Sequence, residues 1–229
     1  NFQRQYFSYT GDDAENIIIS RLFTKEQAKQ MYPQYESAIQ NAESDLLGRH
    51  TAITSVPYNG IGESLSERLY INSDGALRHQ EKTQASIYLY ARAEQKGKKP
   101  RSSGAIRLAE GCQELDIDGC INESASSTIS HLNYLSVETG SYLVCFTPEA
   151  FLELLGSFSS MFNARAILDG VSLSKRDCIG SLVANPLLSL HDNGLHPDNI
   201  GACTFDGEGT PTRKLSIING GRIENLLHS

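Results

Sequence analysis

The sequence predicts an α+β fold, with antiparallel strands and flanking helices in the first half and the start of a sheet-rich domain in the second. Three stretches carry that expectation. "TKEQAKQMYPQYESAIQNAESDLL" (24–47) has helical composition. "TQASIYLYARAEQ" (83–95) alternates strictly, with Ala85, Ile87, Leu89 and Ala91 on one side and Ser86, Tyr88, Tyr90 and Arg92 on the other. "RKLSIINGGRIENLLH" (213–228) reads as two short strands around an Asn219-Gly220 turn signal.

Taken in order, the first helix opens on a capping box, Thr24 and Gln27, and Pro33 is expected to split it into a short helix and a longer one. "HTAITSVPYNG" (50–60) and "ESLSERLYINSDG" (63–75) alternate, and Asn72-Ser73-Asp74-Gly75 supplies turn chemistry. The basic run "KGKKPR" (96–101) separates two strand-like stretches and predicts a solvated hairpin tip, with "SSGAIRLAEGC" as the antiparallel partner. A meander of this kind packs one face on helices. "CINESASSTISHLNYLSV" (120–137) is expected to be helical, from its apolar residues at 121, 129, 132 and 135. "GSYLVCF" (140–146) predicts a short buried strand. Thr147-Pro148-Glu149 starts a helix with an N-cap, a proline at the first helical position and an acid in the first turn. The body of that helix is apolar over most of its circumference and is expected to be central. Composition shifts near residue 138, giving a partial N-terminal domain over 1–137 and part of a C-terminal sheet-rich domain over 138–229, expected to be truncated.

Of 229 residues, 39% are hydrophobic and 21% charged, which excludes wholesale disorder. The net charge of -7 argues against a nucleic-acid partner, and no apolar run reaches the ~20 residues of a membrane span. The N-terminus lacks the pattern of a signal peptide. The chain starts without Met and stops inside a strand-like run, so both ends look cut. Five cysteines without a C-x-x-C suit reduced thiols, and a cytoplasmic location is expected.

Spacing alone yields no catalytic constellation. "HDNGLHPD" (191–198) offers His191, Asp192, His196 and Asp198, but Gly194 and Pro197 prevent a regular helix from presenting both histidines on one face, and a polar surface loop is expected. Asp116 and Asp118 alternate and are expected to be solvated. Ser157, Ser159 and Ser160 lie on no nucleophile elbow. "FDGEGTPT" (205–212) lacks the lysine of a phosphate loop and reads as turn chemistry.

"ETGSYLVCFTPEAFLELLGSFSSMF", "GVSLSKRDCIGSLV", "PLLSLHDN" and above all "CTFDGEGTPTRKLSIINGGRIENLLHS" nevertheless resemble, in order, segments of the TldD/PmbA family, the modulator of DNA gyrase proteins. "RLYINSDGALRHQEKTQASIYLYARA" is similar to that family's turn and long strand. The resemblance covers roughly residues 36–229 and implies paired subunits, or a homodimer, enclosing a cavity. TldD-type subunits are zinc peptidases carrying His-Glu-x-x-x-His on a helix. The corresponding helix here is 148–163, and its motif positions fall on Gly156, Ser157 and Met161. The resemblance is therefore to the PmbA/TldE branch, without the zinc motif. It implies no cofactor in this chain, zinc in a TldD-like partner, and a peptide substrate. The loop of Asp206, Gly207, Glu208, Gly209 and Thr210 would border the cavity or touch the peptide, with Gly207 and Gly209 at positive φ and Asp206 or Glu208 bonding backbone amides. The alternative is a non-enzymatic regulatory protein acting on gyrase or a toxin–antitoxin system. An active peptidase with ligands from elsewhere in a longer chain is a third.

Overall fold

The computed structural model describes residues 6–9, 16–21 and 25–228. Its contacts group into two compact units. One is residues 1–137 together with Phe205–Thr210, and the other is Glu138–Thr204 with Pro211–Ser229. Helices and antiparallel sheets alternate in blocks, which is the α+β class expected.

The first unit is an antiparallel sheet in the order β1 (Tyr6–Tyr9), β2 (Asn16–Arg21), β3 (Ile53–Asn72), β4 (Leu77–Ala93), β5 (Arg101–Ala109). The helices α1 (Lys25–Gly48) and α2 (Ile117–Ser130) pack on one face. The alternation in β4 decides which face: Ala85, Ile87, Leu89 and Ala91 are each fully buried, against Ala42 and Leu46 of α1 and Ile121 and Ala125 of α2. Tyr88 and Tyr90 on the opposite face remain exposed. The serine-rich composition of α2 is explained by its partners. Ser124 Oγ donates to the Leu89 carbonyl at 3.0 Å and Thr128 Oγ1 to that of Ser103 at 3.0 Å, so buried hydroxyls are satisfied by the sheet. Asp116 caps α2 through the Gly119 amide at 2.9 Å and lies 3.6 Å from Arg107. The turn after β3 forms as expected, with Gly75 at φ 85° and Asn72 Oδ1 accepting from the Ala76 amide. The basic tip between β4 and β5 is exposed.

First-half expectations change at α1 and at β3. Helix α1 runs unbroken across Pro33, because a proline costs one internal bond and a steric adjustment while burial of Ala42 and Leu46 holds the following turns in place. The expected cap, Thr24, lies outside the described residues. Residues 50–60 and 63–75 supply one strand, β3, rather than two. Gly60 does not interrupt it because the Tyr88 ring covers it, leaving no room for a side chain: an added Cβ would sit 2.6 Å from the ring.

The second unit holds α3 (Pro148–Gly156), α4 (Ala164–Leu168) and an antiparallel sheet ordered β6 (Leu190–Asn193), β7 (Lys214–Asn219), β8 (Arg222–Ile223). Its core is Phe162, Ile167, Cys178, Ile217, Ile218 and Ile223. Thr147 caps α3 by accepting from the Ala150 amide at 3.3 Å. The β7–β8 turn is centred one residue later than expected, on Gly220 and Gly221, both at positive φ, with Asn219 opposite Arg222. "GSYLVCF" forms no strand and is exposed throughout, Leu143 completely. An apolar run becomes a strand only beside a partner, and none of the described strands pairs with it. Nor is α3 central, since Phe151, Leu152 and Leu154 are exposed.

Candidate functional site

The loop 205–210 is a self-bonded turn. Asp206 Oδ1 accepts from the amides of Glu208 at 2.8 Å and Thr210 at 2.9 Å. The Asp206 amide donates to the Thr210 carbonyl at 3.0 Å, and Gly209 N donates to the Asp206 carbonyl at 3.3 Å. One short carboxylate thus organises the loop, as aspartate does wherever it bonds its own backbone a few residues on. Of the two acids named, Asp206 has this role, while the Glu208 side chain is exposed. Of the two glycines only Gly209 has positive φ, at 79°. Gly207 has open space around it and needs no special backbone, so the expectation for that residue is corrected. Thr210 is exposed.

The loop is counted with the first unit because Phe205 is buried there, 1% exposed, against the β3 side chains Arg68 and Tyr70. The Tyr70 ring lies 6.3 Å from that of Phe205, tilted by 52°. The Arg68 guanidinium sits 4.9 Å over the Phe205 ring and donates from Nη2 to the Asp206 carbonyl at 3.0 Å. Gly209 passes so close to Tyr70 that a Cβ would fall 2.1 Å from its ring. Sequence reasoning missed Arg68 and Tyr70. Their only signal is a cation and an aromatic two apart on one face of a strand, and nothing in it names a partner 138 residues away.

The three positions matched to the zinc motif do not share a helix. Gly156 ends α3, Ser157 caps it, and Met161 lies in a separate single turn of 3-10 helix at Ser159–Phe162. The expected helix over 148–163 stops early because Gly156 and the serines after it are weak helix formers. The Ser157 hydroxyl bonds back to the Glu153 carbonyl, and the Phe158 amide tightens onto Leu155. The donor set does not fit zinc either: glycine has no donor, serine is no carboxylate base, and a thioether does not replace imidazole. Beside this turn lies a cavity of about 320 Å³ with a largely apolar lining that includes Leu152, Leu155, Phe162, Leu190 and Ile217.

His191, Asp192, His196 and Asp198 line an open depression together with Lys214. The Asp198 amide donates to His196 Nδ1 at 3.2 Å, which marks a local turn. Among the described residues, no group of three or more His, Cys, Asp or Glu is placed to hold a metal. One further cluster lies on the helix-covered face of the first sheet. Glu63 accepts from the Tyr35 hydroxyl at 2.5 Å and the Cys112 amide at 3.0 Å. Burial, then the bond to Glu63, pushes the Tyr35 hydroxyl well above its ordinary value; burial also raises the Cys112 thiol. Both groups stay protonated at neutral pH, which suits a structural tie between α1, β3 and the start of the β5–α2 connection rather than a nucleophile.

The fold and the loop together define a class: a helix-backed antiparallel sheet whose outer face carries a glycine- and aspartate-built loop, followed by a second, sheet-containing unit. The chain matches the PmbA/TldA metallopeptidase central domain over residues 24–132 and the C-terminal domain of the same family over 139–229. It belongs to the TldD/PmbA family. Solved structures share its fold. A proposed modulator of a DNA gyrase from Thermotoga maritima is 22% identical, with a TM-score of 0.78, covering 90% of this chain and 46% of that one. TldE from Thermococcus kodakarensis is 18% identical at a TM-score of 0.68, covering 83% and 44%. A proposed modulator of DNA gyrase from Bacteroides thetaiotaomicron is 19% identical at 0.76, covering 89% and 46%. The chain thus spans a little under half the length of these structures. The chain has no match among the curated proteins compared with it. No described helix is long and apolar enough to cross a membrane.

Proposed function

We propose that this chain is a PmbA/TldE-like subunit of a TldD/PmbA-type metallopeptidase system acting on peptides or unfolded proteins, itself non-catalytic and cytoplasmic. The observation that carries the reading is that a chain of a metallopeptidase family contains no His-Glu dipeptide anywhere in its 229 residues, and the positions where the resemblance would put the motif, Gly156, Ser157 and Met161, offer neither an imidazole nor a carboxylate. Zinc would come with a TldD-like partner. This chain would complete the cavity and position substrate, with the loop Asp206–Thr210 at its border. The naming of the Thermococcus structure as TldE agrees with that branch.

The regulatory alternative draws on two observations: relatives in fold described as modulators of DNA gyrase, and the exposed apolar run Tyr142, Leu143, Val144 and Phe146, which suits a protein-binding surface. Cleavage of an unstructured, casein-type substrate separates the two. No cleavage by the full-length protein alone and cleavage on adding a TldD-like subunit is the expected result. Cleavage unchanged by this protein in the mixture contradicts the subunit reading.

A further inference from the structure

The family motif accounts for the loop's own residues but not for what holds the loop in place. Residues 206–208 are exposed while Phe205 and Gly209 are buried, so the loop is fastened at its two ends with its tip free. Both fastenings lead to the same face of β3. Residues 58 to 70 pair one-to-one with β4, so Arg68 and Tyr70 share the outer face with Tyr58, opposite α1 and α2. β3 is an interior strand at this point, paired to β2 through Ser20–Arg68 and to β4 through Arg68–Gln80, so Arg68 projects from a rigid base.

We propose that Arg68 is a positioning residue of the peptide-handling loop, setting the orientation of Asp206–Thr210 by gripping Phe205 and the Asp206 carbonyl at once. The inference rests on the peptide-handling role proposed above and adds to it the residue that places the loop. The carbonyl that Arg68 holds is also the acceptor of the Gly209 amide, so the guanidinium engages the point where the turn closes. Arginine is suited to this in a way lysine is not. A planar guanidinium stacks on a ring with its face while donating from its edge, whereas an ammonium is a single point of charge. Tyr70 completes the fit by leaving room for a glycine and nothing larger at 209.

The test follows hydrogen exchange of the amides of Asp206, Glu208, Gly209 and Thr210 in the full-length protein, and binding of a fluorescein-labelled casein peptide. In Arg68→Ala, exchange at these amides rises at least about tenfold with β4 and β5 unchanged, and peptide affinity falls about tenfold or more. Arg68→Lys recovers part of both. Gly209→Ala loosens the loop from its own side with β3 intact, and gives the same two changes. Unchanged loop exchange in Arg68→Ala, or faster exchange with wild-type peptide affinity, overturns the proposal and leaves the peptide reading standing. A wild-type protein that binds no casein peptide sinks the peptide reading itself, and the role given to Arg68 with it.

Discussion

Burial acts on the thiols of this chain residue by residue. Cys112 and Cys120 are both pushed up by desolvation, Cys112 further by the neighbouring Glu63 carboxylate although the Tyr35 bond pulls it back. Cys145, by contrast, sits exposed in the unpaired run before α3. Iodoacetamide at pH 8 should therefore label Cys145 first and leave Cys112 and Cys120 unreacted on the same timescale, read by mass spectrometry of peptides. Raised thiol values also carry a sign for stability. The folded chain keeps these protons at pH values where the unfolded chain has released them. Their contribution is thus full below the ordinary thiol value near 9.0 and lost as the pH climbs through the folded values. A urea midpoint that falls between pH 8 and 10 checks this; a rising one contradicts it.

Elements differ in how far sequence determines them. β4 was legible because its alternation is strict and its buried side meets two helices, and Leu89 at its centre is fully buried. Leu89→Ala should cost about 2–5 kcal/mol in urea unfolding, from lost transfer energy plus the cavity left behind. A cost below about 1 kcal/mol would mean that the sheet-to-helix core is not as described. The cap at Thr147 and the turn at Asn72–Gly75 were legible for a similar reason, since their chemistry is local, whereas Asp116, read as a solvated acid, proves to cap α2. "GSYLVCF" was misread because strand formation requires a partner that the run itself does not specify. The end of α3 at Gly156 was misread because apolar periodicity continues through a stretch whose glycine and serines break the helix. At the loop, Asp206 and Gly209 were legible as turn residues, but the Arg68 and Tyr70 platform depends on a contact that no local pattern encodes.

For the whole molecule, the family is established by both domain matches and the fold by structures at 18–22% identity, while the role within a peptidase system is the proposal made above, supported by the chemistry of Gly156, Ser157 and Met161. The proposal requires that an α+β scaffold of this family fold without a zinc site, and the sheet core around Ile87 and Leu89 and the loop fastened at Phe205 are built on apolar burial rather than on zinc ligands. Zinc content measures that claim most directly. After dialysis against trace zinc, the purified full-length protein should hold far less than one zinc per chain, whereas its mixture with a TldD-like subunit should hold about one per TldD-like chain. Stoichiometric zinc on this protein alone would contradict the account and move attention to His191 and His196.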